Sequence, residues 1–156
     1  MRSDELITNP HPFFEGVDRE HLRLLSGSAM RADFAEQETI FRQGEPANRF
    51  YLIQTGGVFI TSRIPGRGQI TIQTIGSGEA LGWSWLFEPY KWHFDAWADE
   101  PTRTLYFPAA YLRERCEQYP QLGYELMTRV SRVVIQRLQA TRLRLLAAIA
   151  AGDVEI

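Results

Sequence analysis

Two hydrophobic periods divide the chain. Leu22, Leu25 and Ala29 follow Asp18 at helical spacing in DREHLRLLSGSA (18–29), which predicts a short helix capped by the aspartate. The period then changes to two. RFYLIQ (49–54), VFITSRI (58–64), QITIQTI (69–75) and TRTLYF (102–107) are short and rich in β-branched or aromatic residues, and they predict strands. Glycine and proline separate them at Gly56-Gly57, at PGRG (65–68), which reads as a hairpin, and at Gly76 and Gly78. From Pro108 the helical period returns. AAYLRERCEQ (109–118) predicts one helix, and Pro120 opens a longer one running to about Ala148. Short strands joined by tight turns and flanked by helices predict a sandwich or barrel-like roll.

The long helix carries two apolar faces. Leu126, Val130 and Val133 form one stripe, and Met127, Val134, Leu138, Leu145 and Ala148 trace a second at roughly heptad spacing. Two apolar faces need two partners. The roll supplies one, and the same helix of a second subunit is expected to supply the other. The helix also holds Arg129, Arg132, Arg137, Arg142 and Arg144 against one acid, Glu125. Sixteen acids precede Pro120, which favours pairing with acidic neighbours or a solvated face over contact with phosphates.

Composition narrows the function classes. A chain of 156 residues with net charge −2 is long enough for one core and is not built as a whole to attract nucleic acid or an anionic membrane. No apolar run has signal-peptide or membrane-spanning length, so the expected compartment is the cytoplasm. The single cysteine, Cys116, excludes an internal disulfide and reads as a helix residue. His11, His21 and His93 stand far apart, without the clustered ligands that a metal enzyme of the cupin type requires. WHFD places His93 and Asp95 on the same side of a strand, and this pair reads as a histidine satisfied by a neighbouring carboxylate rather than an acid–base couple. No metal site and no catalytic residue are expected.

The densest signal is GEALGWSWLFEPYKWHFDAWA (78–98), which holds all four tryptophans, three further aromatics and the only lysine. Its setting resembles a known family. FAEQETIFRQGEPANRFYLIQTGGVFI (34–60) is similar to the opening strands of the cyclic-nucleotide-binding domain of the catabolite activator family, with Gly44-Glu45 in a turn. IGSGEALGWSWLF (75–87) resembles the glycine-rich entry to that family's phosphate-binding cassette, and residues 107–138 resemble the helices that follow the roll. The resemblance implies a mainly β fold, a double-stranded jelly-roll-like β-roll followed by a long C-terminal helix. It implies a single unit over 1–156: a helical segment to residue 30, the roll over 31–107, helices over 108–149 and a tail over 150–156.

In that family a Gly-Glu-Leu turn supplies a glutamate to the ribose, and an arginine followed by Ser or Thr and Ala holds the cyclic phosphate. Here the turn reads Gly82-Trp83-Ser84 and the triplet reads Phe94-Asp95-Ala96. By resemblance Gly82 makes the turn, residues 83–87 form a short helix facing the pocket, and Trp83 and Phe94 stand where the two charges should be. Losing two charged hydrogen bonds of about 1.5–3 kcal/mol each lowers affinity by roughly two to four powers of ten. The expected role is a small-ligand sensor or regulatory module, with Gly82, Trp83, Ser84, Trp85, His93, Phe94, Asp95 and Ala96 around the pocket, and no tight site for cyclic AMP. The aromatics either fill the cavity or line a site for a flatter, less anionic ligand; cyclic nucleotide held through backbone contacts is the further alternative. No cofactor is implied beyond such a ligand, and a protein partner is left unnamed. AAIAAGDVEI follows Leu146, short of the several dozen residues of the helix-turn-helix in DNA-binding relatives, so no specific DNA binding is expected.

Overall fold

The computed structural model describes residues 5–153; residues 1–4 of the expected helical segment and 154–156 of the expected tail lie outside the described residues. Helix α1 (Glu5–Thr8) is followed by a 3-10 turn at Pro12–Phe14 and by α2 (Arg19–Ser26). Asp18 caps α2 by accepting from the Glu20 amide at 3.2 Å, as the sequence predicts, and Leu22 and Leu25 are its buried residues. Eight strands follow: β1 (Met30–Phe34), β2 (Thr39–Phe41), β3 (Arg49–Thr55), β4 (Gly57–Ile64), β5 (Gly68–Gly76), β6 (Ala80–Leu81), β7 (Asp95–Ala98) and β8 (Thr102–Pro108). Helices α3 (Ala109–Gln118) and α4 (Pro120–Ala150) complete the order.

The strands make two antiparallel sheets, ordered β1-β8-β3-β6 and β2-β7-β4-β5. This is the expected β-roll with a long C-terminal helix. PGRG closes the β4–β5 hairpin, with the Arg67 amide donating to the Ile64 carbonyl at 2.9 Å. Gly44-Glu45 turns as the resemblance implies: the Glu45 carboxylate accepts from the Arg42 amide at 2.7 Å. β3 lies between β8 and β6 and buries Phe50, Tyr51, Leu52 and Ile53 in succession, so its sequence is apolar without alternation. β5 is an edge strand, and its isoleucines grade from exposed Ile70 through half-buried Ile72 to Ile75 in the core.

The core gathers Phe14, Leu25, Phe50, Leu52, Trp85, Leu105, Phe107, Leu112, Leu122, Leu126 and Val130. It therefore joins the N-terminal segment and the first sheet to α3 and α4. The stripe Leu126, Val130 and Val133 packs on the core, Val133 being half-buried. Met127, Leu138 and Leu145 of the second stripe are 42%, 63% and 51% exposed. Val134 of that stripe is half-buried against the core, and Ala148 is half-buried. The two faces of α4 are thus unequal: one is used within the chain, and the other is exposed at Met127, Leu138 and Leu145.

The N-terminal segment is pinned by His11. Its ring is buried, its Nδ1 accepts from the Phe13 amide at 3.1 Å, and its Nε2 therefore donates to the Ile53 carbonyl at 2.6 Å. The bond that Nδ1 accepts requires the neutral ring, and burial holds its pKa below the ordinary value, against the smaller opposing effect of the Ile53 carbonyl. Below about pH 6.5 the unfolded chain takes up a proton that the folded chain refuses, so stability is complete above that pH and is lost as pH falls through it. Urea unfolding at pH 7.5 and 5.5 should show this loss, and His11→Gln should show a smaller one; an equal pH dependence in both proteins would exclude His11 as its source.

Candidate functional site

The segment following β6 is a loop rather than the short helix expected over 83–87. The Leu86 amide donates to the Trp83 carbonyl at 3.0 Å and the Tyr90 amide to the Phe87 carbonyl at 2.9 Å, two separate turns. Pro89 has no amide to continue a ladder, and the aromatic side chains pack the segment inward instead. Gly82 opens the loop at φ 84°, and a Cβ there would lie 2.6 Å from Cζ3 of Trp92. The turn assigned to Gly82 is therefore present, and Trp92 pressing on it leaves no room for a side chain.

Around that turn the aromatics form a connected array. Trp92 stacks on Phe41 with ring centroids 3.7 Å apart and planes within 5°. Phe94 lies 6.0 Å from Phe41, and Trp83 meets Phe94 edge to face at 6.1 Å. The positions that resemblance assigns to a ribose-binding glutamate and a phosphate-binding arginine thus touch one another as rings, both half-buried against the core. Edge-to-face pairs of this kind contribute about 0.5–1.5 kcal/mol beyond area burial.

The other expected residues are placed less uniformly. Trp85 belongs to the core: it is fully buried, stacks on Phe50 at 4.8 Å, and gives its carbonyl to Arg113 at 2.6 Å. Its neighbours Trp83 and Ser84 turn elsewhere because a tight turn sends successive side chains in different directions. Ser84 is buried, and its hydroxyl lies 3.1 Å from Nδ1 of His93. His93 stands before β7, so it does not share a strand face with Asp95. Asp95 accepts from the Gln43 amide at 2.7 Å and from Gln69 at 2.8 Å, with Arg63 at 4.0 Å. Its carboxylate is used to tie β2's following turn and β5 to β7. Ala96 is buried in the ladder opposite Ile60 and Phe41.

Chemically, Ser84 and His93 do not make a nucleophile and its base. The hydroxyl is shielded from solvent, and the nearest acid in sequence, Asp95, is engaged elsewhere. Burial, with Glu117 adding to it, pushes the Cys116 thiol up, away from the thiolate. Among the described residues no three His, Cys, Asp or Glu side chains group so as to hold a metal ion.

Arg137 was not among the residues singled out in the sequence as pocket residues, yet it reaches this site. From α4 it donates to the Ala80 carbonyl, just before Gly82, and its guanidinium lies 5.6 Å over the Trp83 ring. Burial lowers its pKa to about 10, Glu79 opposing, so it remains charged at neutral pH. A signal was available: Arg137 continues the roll-facing stripe of Leu126, Val130 and Val133 by one further turn.

Residues 31–119 match the family described as "Cyclic nucleotide-binding domain". Over 138 residues the chain is 26% identical to the CRP-like cAMP-activated global transcriptional regulator of Mycobacterium tuberculosis, covering 88% of this chain. It spans 59% of the length of that curated relative. The catabolite activator protein of Thermus thermophilus is similar in structure with a TM-score of 0.68 and 25% identity, over 87% of this chain and 63% of that one. A cyclic nucleotide-binding domain from Methylobacillus flagellatus shares the fold with a TM-score of 0.77 and 22% identity, over 93% and 82% of the two chains.

The contact of Trp92 on Gly82 is testable against Gly44, which has φ 88° but open space around its missing Cβ. Gly44→Ala should cost about 1–2 kcal/mol from backbone strain alone. Gly82→Ala should cost a further 1–3 kcal/mol, roughly, from overlap with the indole. Equal losses in denaturant unfolding would show that Trp92 moves aside freely.

Proposed function

We propose, for a chain that belongs to the cyclic nucleotide-binding domain family, that residues 1–156 act as a dimeric regulatory module whose nucleotide cassette is closed by its own aromatic side chains. One observation carries the reading. Trp83 and Phe94, in the places of the two charged groups of the family's cassette, meet edge to face at 6.1 Å. A ribose and a cyclic phosphate would have to separate these rings and would then find neither a carboxylate nor an arginine fork from the roll. The Mycobacterium tuberculosis relative is described as cAMP-activated, and this chain keeps its fold without those two side chains. The regulatory role carries over; the tight response to cyclic AMP does not.

A second reading rests on Ser84 and His93, whose 3.1 Å contact sets a polar pair beside the rings. If Trp83 swings outward, the rings and this pair would suit a flat, weakly charged ligand. No catalytic step is assigned to the chain. No described helix is long and apolar enough to cross a membrane, and we place the module in the cytoplasm.

Dimerisation is proposed through the bare stripe of α4. Met127, Leu138 and Leu145 would otherwise leave a continuous apolar strip in water. Arg129, Arg137 and Arg144 of the same helix engage the chain's own carbonyls and Glu125, so α4 is not assigned to duplex reading.

Titration calorimetry with cyclic AMP and cyclic GMP should give nothing tighter than about 100 μM. The double change Trp83→Glu with Phe94→Arg should tighten binding at least about tenfold by restoring the charged contacts. Micromolar binding by the unmodified chain would refute the closed cassette. Sedimentation at micromolar concentration should show two chains, and Leu138→Arg should show one. A monodisperse monomer before substitution would remove the dimer.

A further inference from the structure

A groove of about 470 Å³ lies between α4 and the β5–β6 edge of the roll, outside the aromatic cassette. Its helical wall carries four arginines, Arg129, Arg132, Arg137 and Arg144, and its roll wall carries one acid, Glu79. That acid is committed: its carboxylate accepts from the Gly76 amide at 2.6 Å, closing its own turn. The arginines differ in depth. Arg129 and Arg137 are half-buried and anchored, Arg129 on the Phe13 carbonyl at 2.8 Å and on Glu125, Arg137 on the Ala80 carbonyl. Arg132 and Arg144 are exposed at the mouth, and Arg144 reaches the Thr71 carbonyl at only 3.4 Å.

Carbonyl oxygens occupy one or two of the five N–H donors on each guanidinium and neutralise none of its charge. Glu125 balances Arg129, which leaves Arg132, Arg137 and Arg144 facing the single carboxylate of Glu79 across a cavity large enough for a small metabolite. We propose that this groove binds a small molecule carrying a phosphate or pyrophosphate group, gripped by Arg137 at depth and by Arg132 and Arg144 at the mouth. Planar guanidinium forks match tetrahedral oxyanions bidentately, and the excess of donors over acceptors here is the arrangement such a group satisfies. Burial of Arg137 disfavours its charge, and an arriving anion would relieve that cost.

The site is compatible with the proposed dimer. At 3.6 residues per turn Arg132 and Gln136 lie on the side of α4 opposite Met127, Leu138 and Leu145, and Arg137 and Arg144 flank that stripe at about a right angle. Arg137 borders both the groove and the Trp83 ring, whereas of the two sites Arg132 and Arg144 line only the groove, so substitutions at those two test the groove without touching the rings.

Calorimetry with inorganic pyrophosphate on the full chain, at low salt, should show saturable binding of one ion per chain. The exposed pair Arg132→Gln with Arg144→Gln should weaken it at least about tenfold. Arg142→Gln, an exposed arginine of the same helix that does not line the groove, should leave it unchanged. Thermal melts of each variant establish that the fold is intact, since none of the three side chains is buried. Absence of saturation by about 10 mM, far weaker than a built phosphate site, would overturn the proposal. So would equal weakening by Arg142→Gln, which would mark diffuse attraction to the charge of the helix.

Discussion

The stack of Trp92 on Phe41 is the contact on which the functional end of the roll depends. It joins the long loop before β7 to β2, and it sets the indole against Gly82, so the loop can neither lift away nor accept a side chain at its opening turn. Once Trp92 is fixed, the Gly44 amide bonds its carbonyl and its own amide bonds Glu45, which locks the neighbouring turn. Phe94, two residues on, is then held beside Phe41, and Trp83 closes against Phe94. The array is apolar where the family's chemistry is charged. A cavity that charge would keep hydrated collapses onto itself when its walls are rings, because edge-to-face contact and burial act in the same direction.

The long helix couples that array to the rest of the molecule. Its first half is embedded through Leu122, Leu126 and Val130, and Arg129 ties it to the N-terminal segment. Farther along, Arg137 stands over Trp83 while holding the carbonyl that precedes Gly82. Any rotation or sliding of α4 must therefore disturb the cassette, and any opening of the cassette must disturb α4. The contact between the helix and the loop is thus direct. Here the link is made by one cation on one indole and by the groove beside them.

Much of the fold is legible in the sequence. The four predicted strands, the PGRG hairpin, the Asp18 cap and both C-terminal helices follow from residue type, residue spacing and turn chemistry, which are local properties. The resemblance over residues 34–60 covers β2; β7 and most of β1 lie outside the matched stretches, and the two residues of β6 carry no pattern of their own. The site was legible only in part. Gly82 could be placed at a turn, because a glycine between patterned stretches marks one in the sequence. The place of Trp85 could not be read: one residue separates it from Trp83, yet a turn sends it to the core onto Phe50.

What the sequence by itself determines is the succession of strands and turns and the long helix with its apolar stripes. Each is a matter of residue type at a known separation along the chain. What only the tertiary structure decides is which groups meet. Trp92 presses on Gly82, Asp95 serves Gln43 and Gln69 rather than His93, and Arg137 crosses from α4 to Ala80 over 57 residues of sequence. Direction of a side chain from a turn, and the depth to which a helix docks on a sheet, are set by the sum of all packing contacts. No local pattern encodes that sum, and the chemistry of this site is carried by it.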